Sequence, residues 1–398
     1  MRAPAADGRV AELLDARTRA NAAFFAAEAE RLAGLCHRMA ERFARSGRLL
    51  ALGRTPVARS DARHVAVEFV HPVIVGKRAL PAIGLAAEGG DPTAQLALLA
   101  EPEDVVIAFG AEPEALALAR GRGCLTIAFE GDAAEWTFAP PTDDPFVAQE
   151  LVETLYHVLW ELVHVFFEHR GLLEGRQSKR VHDAGASSFL YPFLAEQESD
   201  LEAVIADVAA SVVMKAEEVG ALRGQTLGDG RETLEAAARD LRARLDAGGT
   251  LLALGNGGSA TDAMDVVADF RAAPQGWPAR RALDLTEDPA VITAIANDIG
   301  TDAIFSRQVI AHGGPGDALL ALSTSGNSGS VIAALAEARR RGLLTLACVG
   351  YDGGQVAAEG LADHVVVTRS EHIPRIQEAQ ASAYHVLREL VETRPRDR

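Results

Sequence analysis

Two short apolar runs, "LLALG" at residues 49–53 and "LLALG" again at 251–255, each end in glycine after a helix-period segment that closes in a small-residue turn. Those segments read "CHRMAERFARSGR" and "AARDLRARLDAGGT". An apolar run bounded by turn residues is the pattern of a strand buried on both faces. The same pattern recurs in "PEDVVIAF" (102–109) and "CLTIAFEG" (124–131), then in "PGDALLAL" (315–322) and "LLTLACVG" (343–350), each pair bracketing a helical stretch. Strands alternating with helices throughout predict an open parallel α/β sheet, covered by helices on both faces, in each half of the chain. Ligands of such sheets bind at the carboxyl ends of the strands.

The halves align beyond their strands. "DARHVAVEF" (61–69) lies against "DAMDVVADF" (262–270), so that Asp61, Ala62, Val65 and Phe69 meet Asp262, Ala263, Val266 and Phe270. In this register His64 faces Asp265 and Glu68 faces Asp269. Near each end, "QELVETLYH" (149–157) matches "QEAQASAYH" (377–385), sharing Gln-Glu at the start and Tyr-His at the finish. Such self-similarity predicts a tandem duplication. Between the halves, "GLLEGRQSKRVHDAGASSF" from residue 171 breaks the apolar periodicity with Gly, Ser and charge, as linkers do. The expected boundary is near residue 180, giving domains 1–180 and 181–398.

Composition narrows the function classes. The chain has 398 residues, 48% of them hydrophobic, enough for two cores. Its 56 acidic against 39 basic residues leave a net charge of −17, which disfavours nucleic acid and anionic membranes as partners. Cys36, Cys124 and Cys348 stand far apart without metal or redox spacing, and no secretory signal or membrane-length apolar run is read. A cytoplasmic protein is expected.

Candidate chemistry appears first in the second half. After "LLALG" comes "NGGSATDA" (256–263), and after "ALLAL" comes "STSGNSGS" (323–330), each leading into a helix. Glycines let the backbone approach an anion, hydroxyls donate to it, and a helix N-terminus presents N–H groups. The alternative is that these residues only form turns and caps. "LGNGGSATDAM", "ANDIGTDAIFSRQV", "LSTSGNSGSVIAAL" and "RIQEAQASAYH" together resemble the sugar isomerase (SIS) domain family, phosphoheptose isomerases in particular, over nearly all of residues 240–392. The resemblance implies two tandem three-layer αβα sandwiches, each with a mainly parallel five-stranded sheet. It also implies aldose–ketose isomerisation of a sugar phosphate such as sedoheptulose 7-phosphate. By position, the substrate contacts would be Asn256, Gly257, Gly258, Ser259, Asn297, Asp298, Ser323, Thr324, Ser325 and Ser328.

In that family a His and a Glu four residues apart, with a Gln and a His eight apart on the last helix, resemble a zinc-binding set whose Glu and last His also move protons. The second half departs from this pattern, with Asp265 and Asp269 beside Gln377 and His385. The first half carries His64, Glu68, Gln149 and His157 at the family spacings, but "RTPVAR" replaces "NGGSAT" and "GAEPEA" lacks hydroxyls. The 19 positions from Asp104 to Gly123, against 25 from Asp317 to Gly342, fall short by about the length of "STSGNS". The expectation is therefore a composite site between the halves, with zinc on His64, Glu68, Gln149 and His157, Glu68 as base and His157 as acid. A homodimer forming a pseudo-tetramer of such domains is the expected assembly.

Alternatives remain at this stage. An i,i+4 His–Glu pair is commonly just a helical ion pair. A non-catalytic sugar-phosphate-binding regulatory or assembly protein would suit the aspartate replacements. His182, His312, His364 and His372 have no spacing that pairs them and are expected to be bystanders.

Overall fold

The computed structural model describes residues 8–73, 77–86, 90–168, 200–273 and 276–393. The expected linker around residue 180, and His182 within it, lie outside the described residues. The described residues fall into two compact units. The N-sheet unit lies within Ala20–Asp143 and Leu151–Glu217; the C-sheet unit lies within Met1–Arg19, Asp144–Glu150 and Glu218–Arg398. Among the described residues no helix is long and apolar enough to cross a membrane.

In chain order the helix α1 (Arg9–Ala44) leads into β1 (Leu49–Gly53), α2 (Pro56–Val70), β2 (Ala82–Leu85) and α3 (Pro92–Leu99). There follow β3 (Val105–Phe109), α4 (Pro113–Gly121), β4 (Leu125–Ala128), β5 (Trp136–Thr137) and α5 (Pro145–Glu168). The five strands form one parallel sheet in the order β2-β1-β3-β4-β5. Every residue of β1, β3 and β4 is buried, which accounts for their unbroken apolar sequence.

Two further helices, α6 (Leu201–Asp229) and α7 (Arg231–Asp246), precede the second sheet. It comprises β6 (Leu251–Leu254), β7 (Ala282–Asp284), β8 (Ala318–Ser323), β9 (Leu344–Gly350) and β10 (His364–Thr368), all parallel, in the order β7-β6-β8-β9-β10. This is the order of the first sheet, strand for strand. Between the strands run α8 (Gly258–Arg271), α9 (Pro289–Asp298), α10 (Ser306–His312), α11 (Gly329–Arg340) and α12 (Gly354–Ala358); α13 (Ile373–Glu392) closes the fold. Apolar clusters cover both faces, one including Leu251, Leu320, Val266 and Leu387, the other Leu252, Leu319, Val331 and Leu335.

The two sheets differ where β1 and β6 hand over to helices. In the first, Thr55 caps α2 with its own hydroxyl, accepting from the Ala58 amide at 3.2 Å, and Pro56 at the first turn has no N–H to offer. In the second, α8 starts at Gly257 with φ 59° and no side-chain cap bond. Gly255 makes that start feasible, since a Cβ there would lie 2.1 Å from the Ser259 carbonyl oxygen. Gly255→Ala is therefore expected to displace the first turn of α8 and to destabilise the protein by about 1–3 kcal/mol, as read by urea unfolding.

Candidate functional site

The anion-type loops of the C-sheet unit are built as one structure. Asn256 Nδ2 donates to Ser328 Oγ at 2.8 Å and to Ser330 Oγ at 3.0 Å, tying the loop after β6 to the loop after β8. Ser323 Oγ accepts from the Gly326 amide at 3.1 Å, and Gly326 has φ 63°. Its own Cβ would fall 2.2 Å from the Gly353 carbonyl oxygen, so only glycine fits between this loop and the turn before α12. The Gln355 amide donates to Asn327 Oδ1 at 2.8 Å across the same contact. Ser328 stands at the start of α11 without a side-chain cap bond, and Asn256, Gly257, Gly258, Thr324, Ser325 and Ser328 all retain solvent access. Ser259 is buried within the first turn of α8. Asn297 and Asp298, exposed at the end of α9, hydrogen-bond to each other at 2.8 Å. The loops thus supply backbone amides, hydroxyls and two helix starts, the groups an anion of phosphate size needs.

In the N-sheet unit, α2 and the middle of α5 bring His64, Glu68 and His157 together. Their side chains are buried, and one ligand atom from each lies within 4.8 Å of the others. His64 Nε2 is 3.3 Å from His157 Nε2 and 3.9 Å from Glu68 Oε1. The two Nε2 atoms sit at about the edge length expected between ligands of a tetrahedral ion with bonds near ~2.05 Å. Tyr156 Oη lies 2.9 Å from His64 Nδ1 and donates toward Asp61 Oδ1 at 3.4 Å. That arrangement has the phenol accepting the Nδ1 proton, which leaves the Nε2 lone pair turned toward His157 and Glu68. The donor set, two imidazoles and a carboxylate, fits zinc. Gln149 is also buried, two turns before His157 on α5, but falls among the residues of the C-sheet unit.

The corresponding positions of the C-sheet unit form a second cluster. His385 Nε2 is 3.3 Å from Asp265 Oδ2 and 3.4 Å from Asp269 Oδ2, and Tyr384 Oη donates to Asp265 Oδ2 at 2.9 Å. Tyr384 thus bonds to Asp265 as Tyr156 bonds to His64, matching the register read from sequence. His385 Nδ1 faces Glu150 Oε1 at 3.0 Å, and that same oxygen accepts from Arg17 Nε at 2.9 Å. Burial alone would lower the His385 pKa; hydrogen bonds to Asp265 and Glu150 and the charge of Asp269 push it well above the ordinary value. Burial, then the Asp265 charge, push the Asp269 carboxyl well above its ordinary value. Burial would likewise raise Glu150, but Arg17 and His385 outweigh it and hold this carboxyl below the usual range. Gln377 is buried on α13. Three of the expected bystanders lie away from both clusters: His364 pairs with Asp240 at 2.8 Å, His312 ends α10, and His372 precedes α13.

Sequence reasoning passed over Glu150, Arg17, Tyr156 and Tyr384. The signals were present for three of them, in the Gln-Glu and Tyr-His pairs shared by the two halves. Arg17, on a long helix with no matched partner, had none.

Comparison with known proteins gives the family and the fold. Residues 216–350 match the SIS domain. The phosphoheptose isomerase of Chlorobium phaeobacteroides is 47% identical over 161 residues, covering 39% of this chain and 70% of the relative. The chain belongs to the SIS-domain family. The phosphoheptose isomerase of Solidesulfovibrio magneticus is 41% identical over 177 residues, covering 44% of this chain and 85% of the relative. The C-terminal domain of glucosamine-fructose-6-phosphate aminotransferase from Francisella tularensis is only 9% identical, yet covers 96% of this chain and 95% of its own with a TM-score of 0.58. The two-sheet α/β architecture is thus a SIS fold throughout, and the relatives make the chain sugar-isomerase-like.

Proposed function

We propose that this protein is an aldose–ketose isomerase of a sugar phosphate, sedoheptulose 7-phosphate being the first substrate to try. The observation that carries the proposal is the buried His64–Glu68–His157 cluster in a chain whose other unit keeps two intact anion loops. The phosphate of the substrate is held by the loops after β6 and β8, and its binding energy positions the reacting carbons. Glu68 moves the proton between adjacent carbons, and His157 manages the proton on the oxygens as carbonyl and hydroxyl exchange through an enediol. Tyr156 and Asp61 hold the His64 ring in one orientation. Zinc, held by His64, Glu68 and His157 with Gln149 as a further ligand, would polarise the carbonyl. The two residue sets are proposed to serve one turnover in a homodimer, in a cytoplasmic setting.

The test is conversion of sedoheptulose 7-phosphate by the full chain, with zinc content measured on the same sample. Ser325→Ala is expected to raise KM about tenfold with little change in kcat, because it removes a donor from the phosphate handle. Sugar-phosphate binding without turnover at any zinc loading would overturn the enzyme and leave a regulatory binder in its place.

A further inference from the structure

The helix α13 carries a buried amide that the isomerase reading leaves unused. Gln380 is fully buried, one turn beyond Ile376 on the same helix face. Its Nε2 donates at 3.3 Å to the carbonyl of Ser323, the last residue of β8, while its Oε1 receives no hydrogen bond among the described residues. The amide cannot be turned round, because Oε1 would then face the Ser323 oxygen. For the fold alone such a side chain gains little, since it satisfies one buried acceptor and leaves another unmet. Ile376 supports the next peptide. A Cβ on Gly350, at the end of β9, would lie 2.2 Å from the Thr324 carbonyl oxygen and 2.6 Å from Ile376 Cγ2, so this helix face and the loop after β8 meet without clearance.

What the contact fixes is a peptide plane. A trans peptide is flat, with its carbonyl and its N–H pointing in opposite directions, so a Ser323 carbonyl held against α13 turns the Thr324 N–H away from that helix. Among the described residues that N–H has no acceptor. The next free donor of the loop is already engaged, since the Gly326 amide donates to Ser323 Oγ at 3.1 Å. The helix that applies the hold is itself anchored further along, where Tyr384 Oη donates to Asp265 and Arg388 Nε to the Asp269 carbonyl. We infer that Gln380 is a positioning residue: by holding the Ser323 carbonyl it aims the Thr324 amide at the substrate phosphate. It acts through the loop and touches no substrate atom. The inference rests on the reading of these loops as the phosphate site.

Isotopic labelling of the threonine amides in the full chain reads the contact by magnetic resonance and needs no variant to fold. On addition of inorganic phosphate the Thr324 amide proton is expected to move to low field, as a donor to a charged acceptor does. Gln380→Met, of similar length but without a donor, is expected to weaken inorganic phosphate about fivefold or more in calorimetric titration, with a thermal midpoint close to that of wild type. Wild-type protein that binds no phosphate would overturn the phosphate reading and this inference together. Phosphate binding that leaves the Thr324 amide unmoved would overturn the inference alone. So would wild-type affinity in Gln380→Met, and a lowered thermal midpoint beside it would mark the amide as a packing element only.

Discussion

Glu68→Gln is expected to lower kcat for sugar-phosphate isomerisation by ~10³-fold while leaving KM within a few-fold, consistent with the usual contribution of a positioned general base. The variant keeps the size of the side chain and one carbonyl oxygen, but an amide cannot take a proton from carbon. Glu68 is buried on α2 one turn beyond His64, 3.9 Å from its Nε2, so no bulk water stands ready to substitute as base. The phosphate loops belong to other segments, 256–259 and 323–330, tied by the Asn256 bonds to Ser328 and Ser330. Ground-state affinity held by the phosphate should therefore survive, and the loss should fall on the chemical step. Steady-state kinetics with zinc content measured on each sample separates this from loss of a metal ligand. A metal-free Glu68→Gln protein with wild-type turnover would sink both the base assignment and the zinc assignment.

Much of the fold was legible because parallel strands buried on both faces leave an unmistakable trace. β1, β3 and β4, and β6, β8 and β9, are unbroken apolar runs, and the repeat of "LLALG" set the register in which His64 meets Asp265. Short edge strands such as β5, only Trp136–Thr137, carry too few residues for any period and left no such trace. At the sites, residues contributed by one repeat motif were readable, since spacing along a helix fixes which side chains share a face. The i,i+4 pair on α2 and the Tyr-His pairs fall in this class. Glu150 was hidden beside Gln149, because neighbouring residues on a helix point about 100° apart and a motif match does not say which one meets the opposite cluster. The same step of one residue brings Glu150, and not a residue singled out by the motif match, against His385.

Glu150→Gln is expected to destabilise the C-sheet unit by about 3–5 kcal/mol in metal-free protein near neutral pH, the range for breaking a buried ion pair by removing one partner. Glu150 is 1% exposed and is the shared acceptor for Arg17 and His385, at 2.9 Å and 3.0 Å. Arg17 would keep Glu389, at 3.0 Å, but its Nε would face a neutral amide, and His385 would lose the charge opposite Nδ1. Ser382 can rotate to accept from the new amide, so packing is little changed and the loss is electrostatic. The pH dependence carries the sign of a depressed carboxyl. The native pKa of Glu150 lies below the unfolded value of about 4.3, so its contribution is full above that value and is lost as pH falls through the native one. Urea unfolding of wild type and variant should thus show a wide gap at neutral pH that narrows in acid. A gap independent of pH would mean that shape rather than charge makes Glu150 necessary, and equal stability at neutral pH would show that the Arg17–Glu150–His385 chain contributes nothing net to the fold.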